Sequence, residues 1–166
     1  MTRKAAALKR RAYHHGDLKN ALVVAALELI ATKGARALSL REVARATGVS
    51  HASTYRHFPN KESVLATIAE QGFRELTQRM RDAALQSPSG PLQSLHLVGL
   101  AYVAFGVAHP HHLQIMFGDL ITSHAAYPSL LEASSAAFEI LESGANPLSD
   151  FAMARFEAFQ MLHGFG

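Results

Sequence analysis

The chain has 166 residues, 49% of them hydrophobic, enough for one or two small packed cores. It has no cysteine, which excludes a disulfide framework and thiolate chemistry, and no apolar run approaches the roughly 18 residues of a membrane span. The net charge of +3 hides a division: residues 1–82 hold 15 Lys/Arg against 7 Asp/Glu, whereas residues 83–166 hold only Arg155 against 6 acids, a pattern that suggests two domains, the first facing a polyanion.

Residues 1–15 are basic and Ala-rich and read as a disordered arm rather than a transit peptide, because they run straight into a patterned segment. A helix is predicted from about Asp17 to Lys33, where Leu18, Leu22, Ala25 and Leu29, and Ala21, Ala26 and Ile30, recur at helical spacing. Asp17 near its start and Lys33 at its end suit the helix dipole. Ser39-Leu40-Arg41-Glu42 fits a capping box. The helix it opens, Leu40 to Thr47, turns Leu40, Val43 and Ala44 to one side, and Gly48 ends it in a left-handed conformation. Val49 is expected to fill the angle before the next helix. Ser50 is a good N-cap for that helix, about His51 to His57. Phe58 reads as its inward anchor, Pro59 stops it, and Asn60 caps a further helix that begins at Lys61. Two short helices joined by a glycine turn fit a helix-turn-helix, whose second helix lies in the DNA major groove, although any helix hairpin can give the same spacing. Residues 16–62 therefore read as a three-helix DNA-binding domain.

Lys61 to Leu85 reads as one long helix, with residues 63–86 connecting two domains. Val64, Leu65, Ile68, Phe73, Leu76 and Met80 lie along it. Ser87-Pro88-Ser89-Gly90-Pro91 is the clearest boundary signal. Beyond it, helices are predicted over Leu92–Ala108, over a short piece from the His109-Pro110 break through Met116, and over Pro128–Leu141, with Ser143-Gly144-Ala145-Asn146-Pro147 as a breaker. A last helix, Leu148–Phe165, sets Leu148, Phe151, Phe156, Phe159 and Leu162 near one side. No stretch shows strand alternation, so the fold class is all-α.

The run Tyr55, His57, Phe58 and Lys61, together with SLREVARATGVS and STYRHFPNKESVL, resembles the DNA-binding domain of TetR-family transcriptional regulators over residues 13–73. HPHHLQIMFGDL and FQMLHGFG are similar to segments of a TetR subgroup with a Trp-His-Gly signature, with Leu162 standing in place of the Trp before His163-Gly164. This resemblance implies an N-terminal helix-turn-helix domain joined to a helical ligand-binding and dimerisation domain over residues 92–166. It implies a cytoplasmic regulator, most simply a repressor, acting as a homodimer on a pseudo-palindromic DNA operator and released by a small-molecule effector, with no cofactor. The family has two C-terminal helices per subunit in its dimer interface. Only one is supplied before Gly166, so either a truncated chain or a shorter interface is expected.

Roles carried over from the family put Ser39 and Ser50 at helix N-termini that hold phosphate. Tyr55 and His57 hydrogen-bond the DNA backbone, Lys61 adds a charge contact, and Arg56 faces solvent or phosphate. Base reading falls to Arg41, His51, Ala52 and Ser53, with Arg41 suited to guanine and Ala52 to a thymine methyl. Arg3, Lys4, Lys9, Arg10, Arg11, His14 and His15 of the arm either reach the minor groove or form a solubilising tail.

Effector-lining candidates are Tyr102, Phe105, Met116, Phe117, Phe138, Phe159 and His163, with core packing as the alternative for each. Three other readings stay open. His109, His111 and His112, with Asp119, His124 and His163, would serve a metal-responsive regulator, although their spacing is not a known metal pattern. An architectural DNA-binding protein would use the same first domain without an effector. An enzyme would need a site of its own, and no HExxH, GxSxG or phosphate-cradling glycine loop is present.

Overall fold

The computed structural model describes residues 15–86 and 91–145. They form seven α-helices: α1 (His15–Lys33), α2 (Leu40–Thr47), α3 (His51–His57), α4 (Lys61–Leu85), α5 (Pro91–Ala108), α6 (Pro110–Met116) and α7 (Pro128–Ala145). Short 3-10 turns occur at Ala35–Ala37 and His124–Ala126. There is no strand among the described residues, and no single helix in them is long and apolar enough to cross a membrane. The chain divides into two compact units between Val64 and Leu65, so most of α4 belongs to the second.

In the first unit, α1 buries Leu22, Val23, Ala25, Ala26 and Ile30, while Leu18 and Leu29 are not among its buried residues. The buried face is thus rotated toward Val23 relative to the one expected. The helix closes when the Gly34 N–H donates to the Ile30 carbonyl at 2.8 Å. Gly34 then takes φ 81° and ψ 156°, a region that is essentially glycine-only, and the chain turns through Ala35–Ala37 toward α2. Gly48 adopts the expected left-handed conformation at φ 70°. Its N–H donates to the Arg45 carbonyl and that of Val49 to the Ala44 carbonyl, a Schellman closure of α2.

The cap of α2 differs from expectation. Ser39 sits at the N-cap in extended conformation, but its side chain makes no capping hydrogen bond. Glu42 does not reach back to it. Instead its carboxylate pairs with the Lys33 ammonium from the last turn of α1 and lies 3.8 Å from Arg45. A full charge nearby is a stronger partner for a carboxylate than a neutral backbone N–H, and the capping box is given up for it. The Lys33 hydrogen bond holds the Glu42 carboxyl below the usual carboxylate range. The caps of the next two helices form as expected. Ser50 Oγ accepts from the Ser53 N–H at 3.1 Å, and Asn60 Oδ1 accepts from the Ser63 N–H at 2.8 Å.

In the second unit, Phe73, Leu76 and Met80 of α4, Val98 and Phe105 of α5, Ile115 and Met116 of α6, and Leu130, Ala133 and Ala137 of α7 are buried. Helices α6 and α7 each carry proline at the first position, where the missing N–H costs nothing. Helix α7 runs through Ser143 and Gly144 to Ala145, past the expected stop. One glycine costs only about 1 kcal/mol inside a helix, too little to end it unaided. The predicted helix Leu148–Phe165 and the arm over residues 1–14 lie outside the described residues.

Candidate nucleic-acid interface

The second helix of the motif, α3, has two sharply different sides. Thr54 and Phe58, four residues apart, are buried, and Phe58 is the inward anchor the sequence suggested. His51, Ala52, Tyr55 and Arg56 are exposed along the opposite stripe, and Ser53 and His57 are half-buried between the two sides. Tyr55 is 46% exposed, so about half of its side chain is open to a partner. No acidic residue occurs between Glu42 and Glu62. The stripe therefore offers imidazole, methyl, phenol and guanidinium groups with no carboxylate to repel phosphate. Ser50 caps α3 at an exposed position, and Arg41 is exposed on α2, where it is free of the buried face made by Leu40, Val43 and Ala44. Ser39 is half-buried.

Lys61 departs from a purely DNA-facing role. It is half-buried, and its Nζ donates to the Arg36 carbonyl at 2.6 Å, tying the start of α4 to the turn between α1 and α2. Lysine has three donors, so this bond leaves two for an external oxygen. Sequence reasoning missed two further features. One is the Lys33–Glu42 pair, and the other is Lys19, whose ammonium lies 5.8 Å from the centroid of the Phe58 ring. Neither pair stands at a helical spacing, so no periodic signal could have found them.

In the second unit, some effector-lining candidates gather around Phe73. The Phe117 ring meets Phe73 edge-on at 5.4 Å, Phe138 is 6.5 Å away, and Tyr102 lies 6.4 Å from Phe117. Phe117, Phe138 and Tyr102 are half-buried, whereas Phe105 and Met116 have no exposed surface and fill the core. Burial pushes the Tyr102 phenol above its ordinary range and the His112 and His124 imidazoles below theirs. Phe159 and His163 lie outside the described residues. His109 is engaged near Arg79 and Glu75, with its Nε2 at 3.1 and 3.3 Å from them. Among the described residues no group of three or more His, Asp or Glu side chains is disposed to hold a metal ion.

Residues 22–68 match the model of bacterial regulatory proteins of the tetR family, a span that contains the whole helix-turn-helix. Residues 22–68 are a tetR-family DNA-binding domain. Its similarity to the HTH-type transcriptional repressor KstR2 of Mycobacterium tuberculosis is 30% identity over 95 residues, 57% of this chain and 46% of that one. The nucleoid occlusion factor SlmA of an Enterobacter species is also 30% identical, over 58% of this chain and 48% of that protein. The chain thus spans about half the length of the curated relatives it matches. A protein of unknown function from a Rhodococcus species superposes with a TM-score of 0.72 at 30% identity, covering 93% of this chain and 83% of that one. The TetR-family regulator PfmR of Thermus thermophilus shares the fold, with a TM-score of 0.65 at 22% identity over 85% of this chain and 81% of that one. The Leu162-His163-Gly164 subgroup signature lies beyond both the matched span and the described residues.

Proposed function

We propose that this chain is a sequence-specific DNA-binding transcriptional regulator that represses its target, binds a pseudo-palindromic operator as a homodimer in the cytoplasm, and is released by a small-molecule effector held in the second unit. The observation that carries this reading is the acid-free exposed stripe of α3, opposed by buried Thr54 and Phe58 on a helix-turn-helix with both caps of α3 formed. Phosphate contacts from Tyr55, His57 and the α2 and α3 starts set register, and Arg41, His51, Ala52 and Ser53 read bases. The Ser39 hydroxyl makes no capping bond and so suits a phosphate contact. Release requires only that the effector prefer the arrangement that does not bind the operator. An effector seated near Tyr102, Phe117 and Phe138 would contact mostly apolar surface.

Selection from a random duplex library tests the reading. Recovery of a short palindrome is the expected result, and a dimer that enriches nothing would favour an architectural DNA-binding role. That second reading has one specific support, the likeness of the chain to a protein named as a nucleoid occlusion factor.

Two variants test the residue roles. Arg41→Ala should relax preference at one base position by about 1–3 kcal/mol, and an unchanged binding-site logo would remove Arg41 from base reading. Lys61→Met should lower stability by about 1 kcal/mol through loss of its bond to the Arg36 carbonyl. If its remaining donors meet a phosphate, the slope of log affinity against log salt should also fall by about 0.9. A lower stability with an unaltered slope would assign Lys61 to the fold alone.

A further inference from the structure

The corner where α5 turns into α6 meets α4 through groups whose partners depend on one proton. Glu75 and Arg79 stand one turn apart on α4, and Arg79 Nη2 donates to Glu75 Oε1 at 2.6 Å. His109, the residue before α6, sets its Nε2 3.1 Å from that Arg79 nitrogen and 3.3 Å from that Glu75 oxygen. The His109 ring lies 5.0 Å from the Phe105 ring, and the Arg79 guanidinium carbon lies 5.9 Å from the same ring. Arginine only donates, so its approach to Nε2 requires a lone pair there, with the ring proton on Nδ1. A protonated ring carries hydrogen on both nitrogens. Its Nε2 then faces Arg79 donor to donor and has the Glu75 carboxylate as its acceptor.

We propose that this corner is a proton-operated switch: the neutral His109 ring holds Arg79, and protonation transfers Glu75 and the Phe105 face from Arg79 to His109 and releases Arg79 to solvent. The Arg79 side chain is 42% exposed, so it has a route out. Burial works against a charge on Glu75, but the Arg79 hydrogen bond and the neighbouring charges outweigh it and hold the carboxyl below its usual range. Glu75 therefore stays a carboxylate while the imidazole titrates. Among the described residues, the other titratable groups near this corner are His112, edge-on to His109 at 5.6 Å, and His111 beside it. Burial pushes the His112 imidazole below its ordinary range, and a charge on His109 pushes it further, so the pair takes one proton before a second. The carboxylate beside Nε2 places that proton on His109. Helix α5 has no Asp, Glu, Lys or Arg, and its one histidine, His96, is nine residues from Phe105. Beyond the corner α6 fits α4 tightly, since a Cβ on Gly72 would come within 2.5 Å of Met116 Sδ and 3.4 Å of His112 Cβ. The exchange thus moves the Arg79 side chain rather than α6, and the second unit gains a free guanidinium for an anionic partner only when His109 is charged.

NMR of the isotope-labelled full chain, titrated from about pH 8 to pH 5, reads both partners, because histidine changes charge in that range. Signals are assigned by their loss in His109→Gln and Arg79→Met. At the alkaline end the parent His109 ring should carry its proton on Nδ1. On acidification the ring should gain a second proton, and the Overhauser contacts between the Arg79 side chain and the Phe105 ring should fade with the same midpoint. In His109→Gln those contacts should persist across the range. In Arg79→Met the neutral ring has lost its donor, and its proton should move to Nε2, toward Glu75. A neutral parent ring already protonated on Nε2 would overturn the switch. So would Arg79–Phe105 contacts that ignore the His109 titration, or that still fade in His109→Gln.

Discussion

Phe58→Ala should destabilise the DNA-binding unit by about 3–5 kcal/mol and abolish selective binding. The ring is 1% exposed, lies one turn beyond buried Thr54 and takes the Lys19 ammonium at 5.8 Å, so truncation removes a whole aromatic contact surface and leaves a cavity. Domains commonly have only about 5–15 kcal/mol of stability, so the loss approaches unfolding. Denaturant titration of the variant checks the stability term and a fluorescent-duplex titration checks binding. Tyr55→Ala is the control three residues away. Tyr55 is 46% exposed, so its loss should alter stability by no more than about 0.5 kcal/mol while lowering affinity for all sequences alike. A Phe58→Ala protein with an unchanged denaturation midpoint would contradict the inward-anchor reading of Phe58.

Phe73→Ala should have a comparable effect on the second unit, about 3–5 kcal/mol. Phe73 is wholly buried, and its ring is bordered by Phe117 at 5.4 Å, His124 at 6.3 Å and Phe138 at 6.5 Å. Edge-on aromatic pairs add about 0.5–1.5 kcal/mol each beyond the area they bury. Calorimetry of the variant should show the loss, and an effector that normally raises the melting temperature should do so less. If the variant melted like the parent chain, the aromatic cluster would not be the centre of the second core, and Tyr102, Phe117 and Phe138 would lose their support as an effector-facing group.

Much of the first unit was legible because the signals that punctuate it are local. Gly48 requires only its own backbone torsion, Ser50 reaches the N–H of Ser53, Asn60 reaches that of Ser63, and Pro59 constrains its immediate predecessor. The exposed and buried sides of α3 follow from four-residue spacing. The same reasoning failed at Ser39–Glu42, where every residue of a capping box is present but Lys33, nine positions before Glu42, supplies a stronger partner. It failed more mildly at Ser143-Gly144, where the helix expected to stop near Leu141 runs on through both residues to Ala145.

By itself the sequence determined the all-helical fold class of the described residues, the helix-turn-helix with its capped α3, the acid-free composition of the exposed α3 stripe, and the separation of a basic first half from an acidic second half. These depend on torsional preferences, caps within three or four residues, and composition. The tertiary structure decided which neighbours those residues keep. It gave Glu42 to Lys33 and Lys61 to the Arg36 carbonyl, brought Phe117 and Phe138 around Phe73, sank Phe105 and Met116 into the core, and left Leu92, Leu100, Val103 and Val107 of α5 exposed. Such choices join residues from separate elements, and their energies are set by distance and burial, quantities that exist only once the helices have packed.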